Sequence, residues 1–473
     1  EFGTMRAAPK EIWIIYAIKM LSSYAYFSFS LVLSLYLTNE FGVSDEAAGW
    51  AYGIYGVMST VFGVLGGWVI DYCGVRRSLL LGATLGLVAR LALAMATTKV
   101  HTFIVLYTIL PLSDSLGIPV LTIGIQRYTN DSNRTLAFSL FYSFMNIAAL
   151  IAGPAVDSLR IFLKDGTDVF GVHFSSLKLV ILSGAGAAAL MLAVVMVGVR
   201  EIEVGEDGEV VEFRPVQNSP WMETRRVLQS RTFWRLVLFT LLLIGVRMVF
   251  RHMDATLPKY MTRTFGEDAP FGLIYAINPF LIIFLVPIIG ALTQDVDNFK
   301  MILYGSFVSG ASPFWICLGD HYWTVIMFMV TLSLGEAVYS PRVYEYTLQL
   351  SEKGKEGLYS SLASAPIYAV KFFVGGISGH LLGKYCPETG TRNGAALWGI
   401  VGIMSFSSPI LMTIFRNVIN PGPEELYAPP PGAMALPHDV SEDAEDPLRA
   451  VAVPDDGKAS EAEDEVESLV PPV

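Results

Sequence analysis

The sequence predicts an all-α polytopic membrane protein with twelve transmembrane helices arranged as two six-helix bundles. Of its 473 residues, 53% are hydrophobic and only 16% are charged, whereas soluble domains carry about 25% charged residues. Twelve largely apolar segments reach about 20 residues, the length that spans a bilayer. They divide six and six about one long polar connection. This composition and pattern exclude a cytosolic enzyme and a nucleic-acid-binding protein.

Clusters of charged and turn-forming residues separate the twelve predicted spans. The spans are 11–38, 47–70, 77–97, 102–126, 135–160 and 176–199 in the first half, and 233–262, 270–293, 301–319, 322–349, 357–384 and 395–416 in the second. The resulting domains are a cytoplasmic N-terminus (1–10), an N-terminal bundle (11–199), a cytoplasmic linker (200–232), a C-terminal bundle (233–416) and a cytoplasmic tail (417–473).

The distribution of Lys and Arg predicts that both chain ends and the linker lie on the cytoplasmic side. Residues 417–473 hold 14 acidic and 2 basic residues, so the tail has too little apolar surface to offset chain entropy and is predicted to be disordered. A cytoplasmic partner for this tail is one open alternative. The remaining chain is almost neutral. The three cysteines, Cys73, Cys317 and Cys386, are far apart, and we predict no disulfide framework, metal site or cofactor.

A short motif recurs at the equivalent loop of each half, which supports two related bundles. In both places a Gly, an Asp and a basic residue follow one another at offsets of five and ten residues. The two sets are Gly66, Asp71 and Arg76, and Gly290, Asp295 and Lys300.

The first of these loops resembles the signature of the major facilitator superfamily, in which a Gly, an Asp, a Gly and a basic cluster connect helices two and three. The matching residues are Gly67, Asp71, Gly74, Arg76 and Arg77. The resemblance implies the major facilitator fold and a transporter whose two bundles rock about a central site. It also implies that this loop acts as a conformational latch.

Within that superfamily the chain resembles a divergent member of the proton-coupled oligopeptide transporter branch. The segment from Phe141 through Tyr142 to Asn146 is similar to the branch's Phe-Tyr-x-x-Ile-Asn signature, and Gly335-Glu336 to its helix-ten motif. The resemblance implies that Tyr142 and Asn146 contact substrate. On helix one, however, the chain has Lys19 where that branch carries paired glutamates and an arginine, so a solute other than a peptide is an equal alternative.

Five charged residues fall near the middle of predicted spans, where insertion costs about 2.5–3.5 kcal/mol per central charge. They are Arg90, Asp114, Arg247, Glu336 and Lys371. Each could form a structural ion pair, and Glu336 and Lys371 are candidate partners across a helix interface. Taken together, the five predict a substrate or coupling site.

Helix seven adds a polar stripe, because Arg247, Arg251 and Asp254 fall on one face of a helix. That stripe would line a cavity, and the alternative is an Arg251–Asp254 surface pair at the outer membrane interface.

We therefore predict an integral, multi-pass secondary active transporter for a small polar, carboxylate-bearing solute such as a peptide, amino acid or organic anion. Arg247 and Lys371 would bind the carboxylate, and Glu336 would receive an amine or carry a coupling proton. Asp114, Asn146 and Tyr142 complete the predicted substrate site. The alternatives are an uncoupled facilitator for sugars or other organic solutes, and a non-transporting receptor or scaffold that acts through its acidic tail. We find no set of catalytic residues in the sequence, so we do not predict an enzyme.

Overall fold

The computed structural model of the protein describes residues 9–129, 133–169, 171–204, 209–212, 229–293, 295–350 and 356–420. Only the backbone is described at 64–72, 118–119, 135, 203, 212, 231–232, 344, 348–350 and 356–369. The predicted N-terminus (1–10), linker (200–232) and tail (417–473) lie largely outside these residues, so the domain boundaries stay predictions.

The described chain is a series of helices with two small hairpins. The first half contains α1 (Lys10–Phe41), α2 (Asp45–Ala94), α3 (Lys99–Tyr107), α4 (Ile109–Ser115), α5 (Ile118–Arg127), α6 (Arg134–Phe162), β1 (Thr167–Val169), β2 (Val172–Phe174) and α7 (Ser176–Gly198). The connection between the halves contains β3 (Ile202–Val204) and β4 (Val210–Glu212). The second half contains α8 (Arg231–Leu242), α9 (Ile244–Ala255), α10 (Leu257–Phe265), α11 (Phe271–Tyr275), α12 (Ile277–Leu292), α13 (Asn298–Ala311), a 3₁₀ turn (Ser312–Leu318), α14 (Tyr322–Leu350), α15 (Glu356–Tyr385), α16 (Gly394–Ile414) and α17 (Arg416–Ile419).

Both hairpins are antiparallel and two-stranded. Asp168 pairs with His173 between β1 and β2, and Glu203 pairs with Val211 between β3 and β4.

The helices confirm an all-α multi-pass membrane protein. Among the described residues, nine helical segments are long and apolar enough to cross a bilayer, and the bent pair Phe233–Leu242 and Ile244–Ala255 makes a tenth. The two other predicted spans, 47–70 and 357–384, lie within α2 and α15, whose side chains are described only in part. The count of twelve therefore stays a prediction.

Two predicted spans and one predicted loop contain breaks or bends that the sequence analysis did not predict. The predicted span 102–126 is divided into α3, α4 and α5, and the span 233–262 into α8, α9 and α10, with a bend of 49° between α8 and α9. Pro258 stands in the first turn of α10, where its missing N–H cannot continue the preceding helix. The predicted loop between helices two and three is instead a break inside α2 at Gly74, whose φ of +83° favours glycine.

The two halves pack closely where α2 meets α15. A methyl group at Gly49 would collide with the carbonyl of Gly375, and one at Gly53 would lie 3.0 Å from the carbonyl of Phe372. Absence of side chains lets these two backbones touch, as small residues do at helix interfaces in membranes. We call this contact between Gly49, Gly53 and α15 the glycine seam, and it sets the position of Lys371 on α15 relative to α2.

Candidate functional site

Charged, tyrosine and other polar side chains from α1, α2 and α4 of the first half lie near those from α9, α12, α14 and α15 of the second. We call this set the central layer and define it as Tyr26, Ser30, Tyr52, Tyr55, Arg90, Asp114, Arg247, Arg251, Asp254, Asn278, Glu336 and Lys371. The five mid-span charges that the sequence indicates are all in it.

Asp254 joins the two halves in the central layer. Its Oδ2 accepts hydrogen bonds from Ser30 Oγ at 2.5 Å and from Tyr52 OH at 3.0 Å, both of which belong to the first half. Arg251 Nη1 lies 3.4 Å from the same oxygen and also donates to Tyr26 OH at 3.2 Å. Asp254 is only 5% exposed, so the alternative of a surface pair is wrong. The pair forms, but it is buried against the opposite half.

Asp114 and Lys371 lie in a second part of the central layer. Tyr55 OH donates to Asp114 Oδ2, and Arg90 Nη2 lies 3.8 Å from Asp114 Oδ1. The ammonium of Lys371 lies over three tyrosine rings rather than against a carboxylate. Its Nζ is 4.7 Å from the ring centroid of Tyr26, 5.0 Å from that of Tyr55 and 5.8 Å from that of Tyr52.

Glu336 has a different partner from the one expected. Its Oε2 accepts a hydrogen bond from Asn278 Nδ2 at 2.8 Å, and Asn278 also donates to Ser333 Oγ at 3.1 Å. Within the described residues no ion pair joins Glu336 to Lys371, so the expected partnership is wrong. The reason is the glycine seam, which packs α15 on α2 and brings Lys371 to the tyrosines of the first half.

Arg247 is half-buried, and its Nε makes no hydrogen bond within the described part of the chain. The positive charges that act on the Glu336 carboxylate are those of Arg247 and Arg251. A guanidinium with an unused buried N–H beside the interface of the halves can accept an anionic group from a solute.

The residues predicted from the transporter signature lie on α6. Asn146 is buried and donates to the carbonyl of Tyr142 at 3.0 Å, a bond inside its own helix. Lys19 is 1% exposed, and its Nζ lies 4.5 Å from the ring centroid of Phe141. The substrate roles of Tyr142 and Asn146 stay predictions.

Sequence reasoning missed the neutral members of the central layer, Tyr26, Ser30, Tyr52, Tyr55 and Asn278. Tyrosines and serines are common in apolar spans, so none of them stands out as a charged residue does. The three-residue spacing of Tyr52 and Tyr55 does place both on one helix face.

The predicted latch surrounds the break in α2. The carboxylate of Glu201 accepts hydrogen bonds from the backbone N–H of Val75, at 3.1 Å, and of Arg76. Arg76 Nη2 also donates to the carbonyl of Met196 at 3.2 Å. The loop is thus bound to the end of α7. The side chain of Asp71 lies outside the described residues, so its pairing with Arg76 or Arg77, and the latch that includes Gly67 and Gly74, stay predictions.

Ion pairs also join the halves at the end of the molecule where α1 connects to α2, which we call the outer end because basic-residue distribution predicts it to lie outside. Asp45 Oδ1 is 2.8 Å from Lys259 Nζ, and both Asp45 oxygens are 2.8 Å from the guanidinium of Arg263. Nearby, Arg160 donates to the carbonyls of Glu267 and Ala269. These bonds hold the two halves together at the outer end.

We expect Asp45→Ala to open the outer end. Removing one partner of a buried ion pair costs about 3–5 kcal/mol, because the opposite charge is left without compensation, and Lys259 is only 1% exposed. The measurement uses a chain without its three native cysteines and with a new cysteine at Ala48, which is buried. An impermeant maleimide should label this cysteine faster once the outer end opens. Glu46→Ala, at an exposed neighbouring acid, is the control. Equal labelling of the two variants would contradict the prediction.

The same contact predicts a pH dependence. Burial alone would raise the pKa of Asp45, but hydrogen bonds from Arg263 and the charge of Lys259 hold this pKa below its usual value. Because the pKa is lowered, the ion pairs stabilise the closed outer end at neutral pH, and that stabilisation is lost as the pH falls through the lowered value.

Solved structures of transporters share this fold. The chain matches a POT family transporter in complex with 5-aminolevulinic acid with a TM-score of 0.68 and 16% identity, over 87% of this chain and 97% of that one. It matches a POT family transporter in complex with a thioalcohol-conjugated peptide with a TM-score of 0.69 and 16% identity, over 88% and 100% of the two chains. At these identities the matches show the fold.

Two curated relatives are also transporters by name. An uncharacterized MFS-type transporter, YqjV, of Bacillus subtilis (strain 168) is 20% identical over 400 residues, which are 82% of this chain and 89% of the relative. A Na(+), Li(+), K(+)/H(+) antiporter of Planococcus maritimus is 21% identical over 351 residues, 70% and 80% of the two chains. The family model of the Major Facilitator Superfamily matches residues 15–376, and with the fold described above this match shows that the chain belongs to that superfamily.

Proposed function

We propose that this protein is a secondary active transporter that moves a small polar, carboxylate-bearing solute by alternating access, with the central layer as its solute site. The observation that carries the proposal is the position of the buried charges. Asp254 and Lys371 of the second half contact Ser30, Tyr52 and Tyr26 of the first. When the halves rock, the contacts within a site built from both halves change. Solute binding is thereby coupled to the movement.

Arg247 and Lys371 are the proposed partners of the solute carboxylate. Neither makes an ion pair within 4 Å of a carboxylate in the described chain, whereas Arg90 and Arg251 each have an aspartate partner. Buried or half-buried cations without a counter-ion favour an anionic ligand. The guanidinium of Arg247 can bind a carboxylate through two parallel hydrogen bonds.

Glu336 and Asn278 form the proposed acidic side of the site. A carboxyl group hydrogen-bonded by a neutral amide can receive an amine or carry a proton. The closed outer end, with Asp45 bound to Lys259 and Arg263, fits one end state of an alternating-access cycle. The ligands named for the structural neighbours, 5-aminolevulinic acid and a conjugated peptide, belong to the predicted solute class.

A second candidate function is exchange of a monovalent cation for protons. The relative from Planococcus maritimus is named as such an antiporter. In addition, Asp254 Oδ1 is buried without a hydrogen-bond partner in the described chain, and a carboxylate oxygen is a suitable ligand for an alkali cation.

Uptake into proteoliposomes separates these functions. We expect radiolabelled 5-aminolevulinate or a dipeptide to accumulate when the outside is more acidic, because a proton bound at Glu336 would enter with the solute. Proton release on addition of Na⁺, read by an internal pH dye, tests the second candidate in the same vesicles. Vesicles without protein are the control. Sodium-dependent proton movement without solute uptake would replace the first proposal by the second.

A further inference from the structure

The rings of Tyr26, Tyr52 and Tyr55 enclose the ammonium of Lys371, and we call these three residues the tyrosine cage. All three ring centroids lie within 5.8 Å of Nζ, inside the range of about 6 Å at which a cation is attracted by a ring face. Tyr52 and Tyr55 are each 1% exposed, so two walls of the cage are fixed by packing. The cage is therefore a preformed site in which an ammonium is seated.

The surroundings of the cage also favour a cation. Tyr55 OH donates to Asp114, so a carboxylate lies next to the hydroxyl end of one cage ring. Arg90 lies 3.8 Å from the other oxygen of Asp114. The stem of Lys371 passes over Gly56, where a methyl group would approach Lys371 Cβ to 2.5 Å. A glycine at this position thus provides the space through which the lysine enters the cage.

The cage can exchange its occupant. Tyr26 and Lys371 are both half-buried, so the third wall and the lysine are partly accessible. In the described part of the chain Lys371 makes no ion pair within 4 Å, and ring faces attract a substituted ammonium as readily as a primary one. A solute that offers its own ammonium can therefore take the place of Nζ.

We propose that the tyrosine cage is the subsite that binds the ammonium group of the solute. In the present state Lys371 occupies it. The solute ammonium replaces Nζ over the rings, and the displaced Lys371 then pairs with the solute carboxylate. The solute class is accordingly a zwitterion with an ammonium and a carboxylate. This assignment of a solute rests on the proposed function, whereas the binding of an ammonium to the cage does not. With the solute ammonium in the cage, Glu336 is the residue left to carry the coupling proton.

Binding of tetramethylammonium chloride to purified protein, measured by calorimetry, tests the cage. We expect Lys371→Ala to bind this cation about tenfold more tightly than the unmodified chain, since the three ring faces become available. Lys371→Arg keeps a cation in the cage and should bind no better than the unmodified chain. Equal affinity of the Ala and Arg variants would overturn the proposal.

Two double variants show whether the ring faces are responsible. Lys371→Ala with Tyr26→Phe should keep the gain, because the ring remains, and Lys371→Ala with Tyr26→Leu should lose it. A gain that survives the Leu change would overturn the proposal, since the ion would then bind elsewhere. Both measurements work without transport, so absence of uptake in vesicles would contradict the proposed function and leave the cage assignment standing.

Glycine betaine, which carries a quaternary ammonium and a carboxylate, tests the exchange itself. The unmodified chain should prefer glycine betaine to tetramethylammonium, because displaced Lys371 gains the carboxylate as a partner. Lys371→Ala should weaken this preference, because Arg247 is then the one remaining proposed partner of the carboxylate. The same preference in both proteins would show that Lys371 does not receive the carboxylate and would overturn the exchange.

Discussion

Glu336→Gln is expected to abolish accumulation driven by a pH gradient while exchange of solute across the membrane continues. Glutamine has the shape of glutamate and can still accept the hydrogen bond from Asn278, but it cannot bind and release a proton. Counterflow of labelled solute and gradient-driven uptake, measured in the same proteoliposomes, separate the two activities. The expected result is loss of the second with retention of the first.

Glu345→Gln is the matched control for this variant. Glu345 lies on the same helix, α14, but its side chain is 48% exposed and is paired with Arg342 at 2.7 Å. Gradient-driven uptake should survive this change. If Glu336→Gln also accumulated solute under a pH gradient, Glu336 would not be the coupling residue. Adding Lys371→Met to Glu336→Gln should not restore activity, because the two residues are not partners in the structure.

Asp254→Ala is expected to destabilise the folded protein and to abolish transport. The carboxylate accepts hydrogen bonds from Ser30 and Tyr52 and is paired with Arg251, so its removal leaves two hydroxyl donors without this acceptor and Arg251 without its counter-ion. Breaking a buried pair costs about 3–5 kcal/mol, mainly through the uncompensated charge. The measurements are the melting temperature of the purified protein and uptake in proteoliposomes.

A second change distinguishes stability from function. Asp254→Ala combined with Arg251→Met removes both charges and should recover much of the lost stability without restoring transport, since replacing a whole buried pair by apolar residues is often neutral. Asp268→Ala, at an exposed acid just beyond α10, is the control for both measurements. A melting temperature for Asp254→Ala equal to that of the control would show that the bonds across the halves do not stabilise this state.

Much of the fold could be predicted from local properties of the chain. Length and hydropathy determine whether a segment can span a bilayer, because each unpaired backbone group in lipid costs several kcal/mol and a helix satisfies all of them internally. A motif in one loop was enough to indicate the superfamily that the match over residues 15–376 shows. The breaks at Leu243 and Thr256 escaped prediction, because a bent apolar helix has the same composition as a straight one.

The charged members of the central layer could also be found from the sequence, since a charge in an apolar span is conspicuous. The residues that these charges contact could not be found from the sequence. Asp254 bonds to Ser30, 224 positions away in the chain, and Lys371 lies among tyrosines of α1 and α2 rather than beside Glu336. A residue's depth in the membrane follows from its own segment, whereas its neighbours depend on which helix faces meet. The neighbours of Lys371 depend on the glycines that let α2 and α15 touch. The sequence by itself therefore determined the membrane fold and the buried charges, and only the tertiary structure decided what each charge binds.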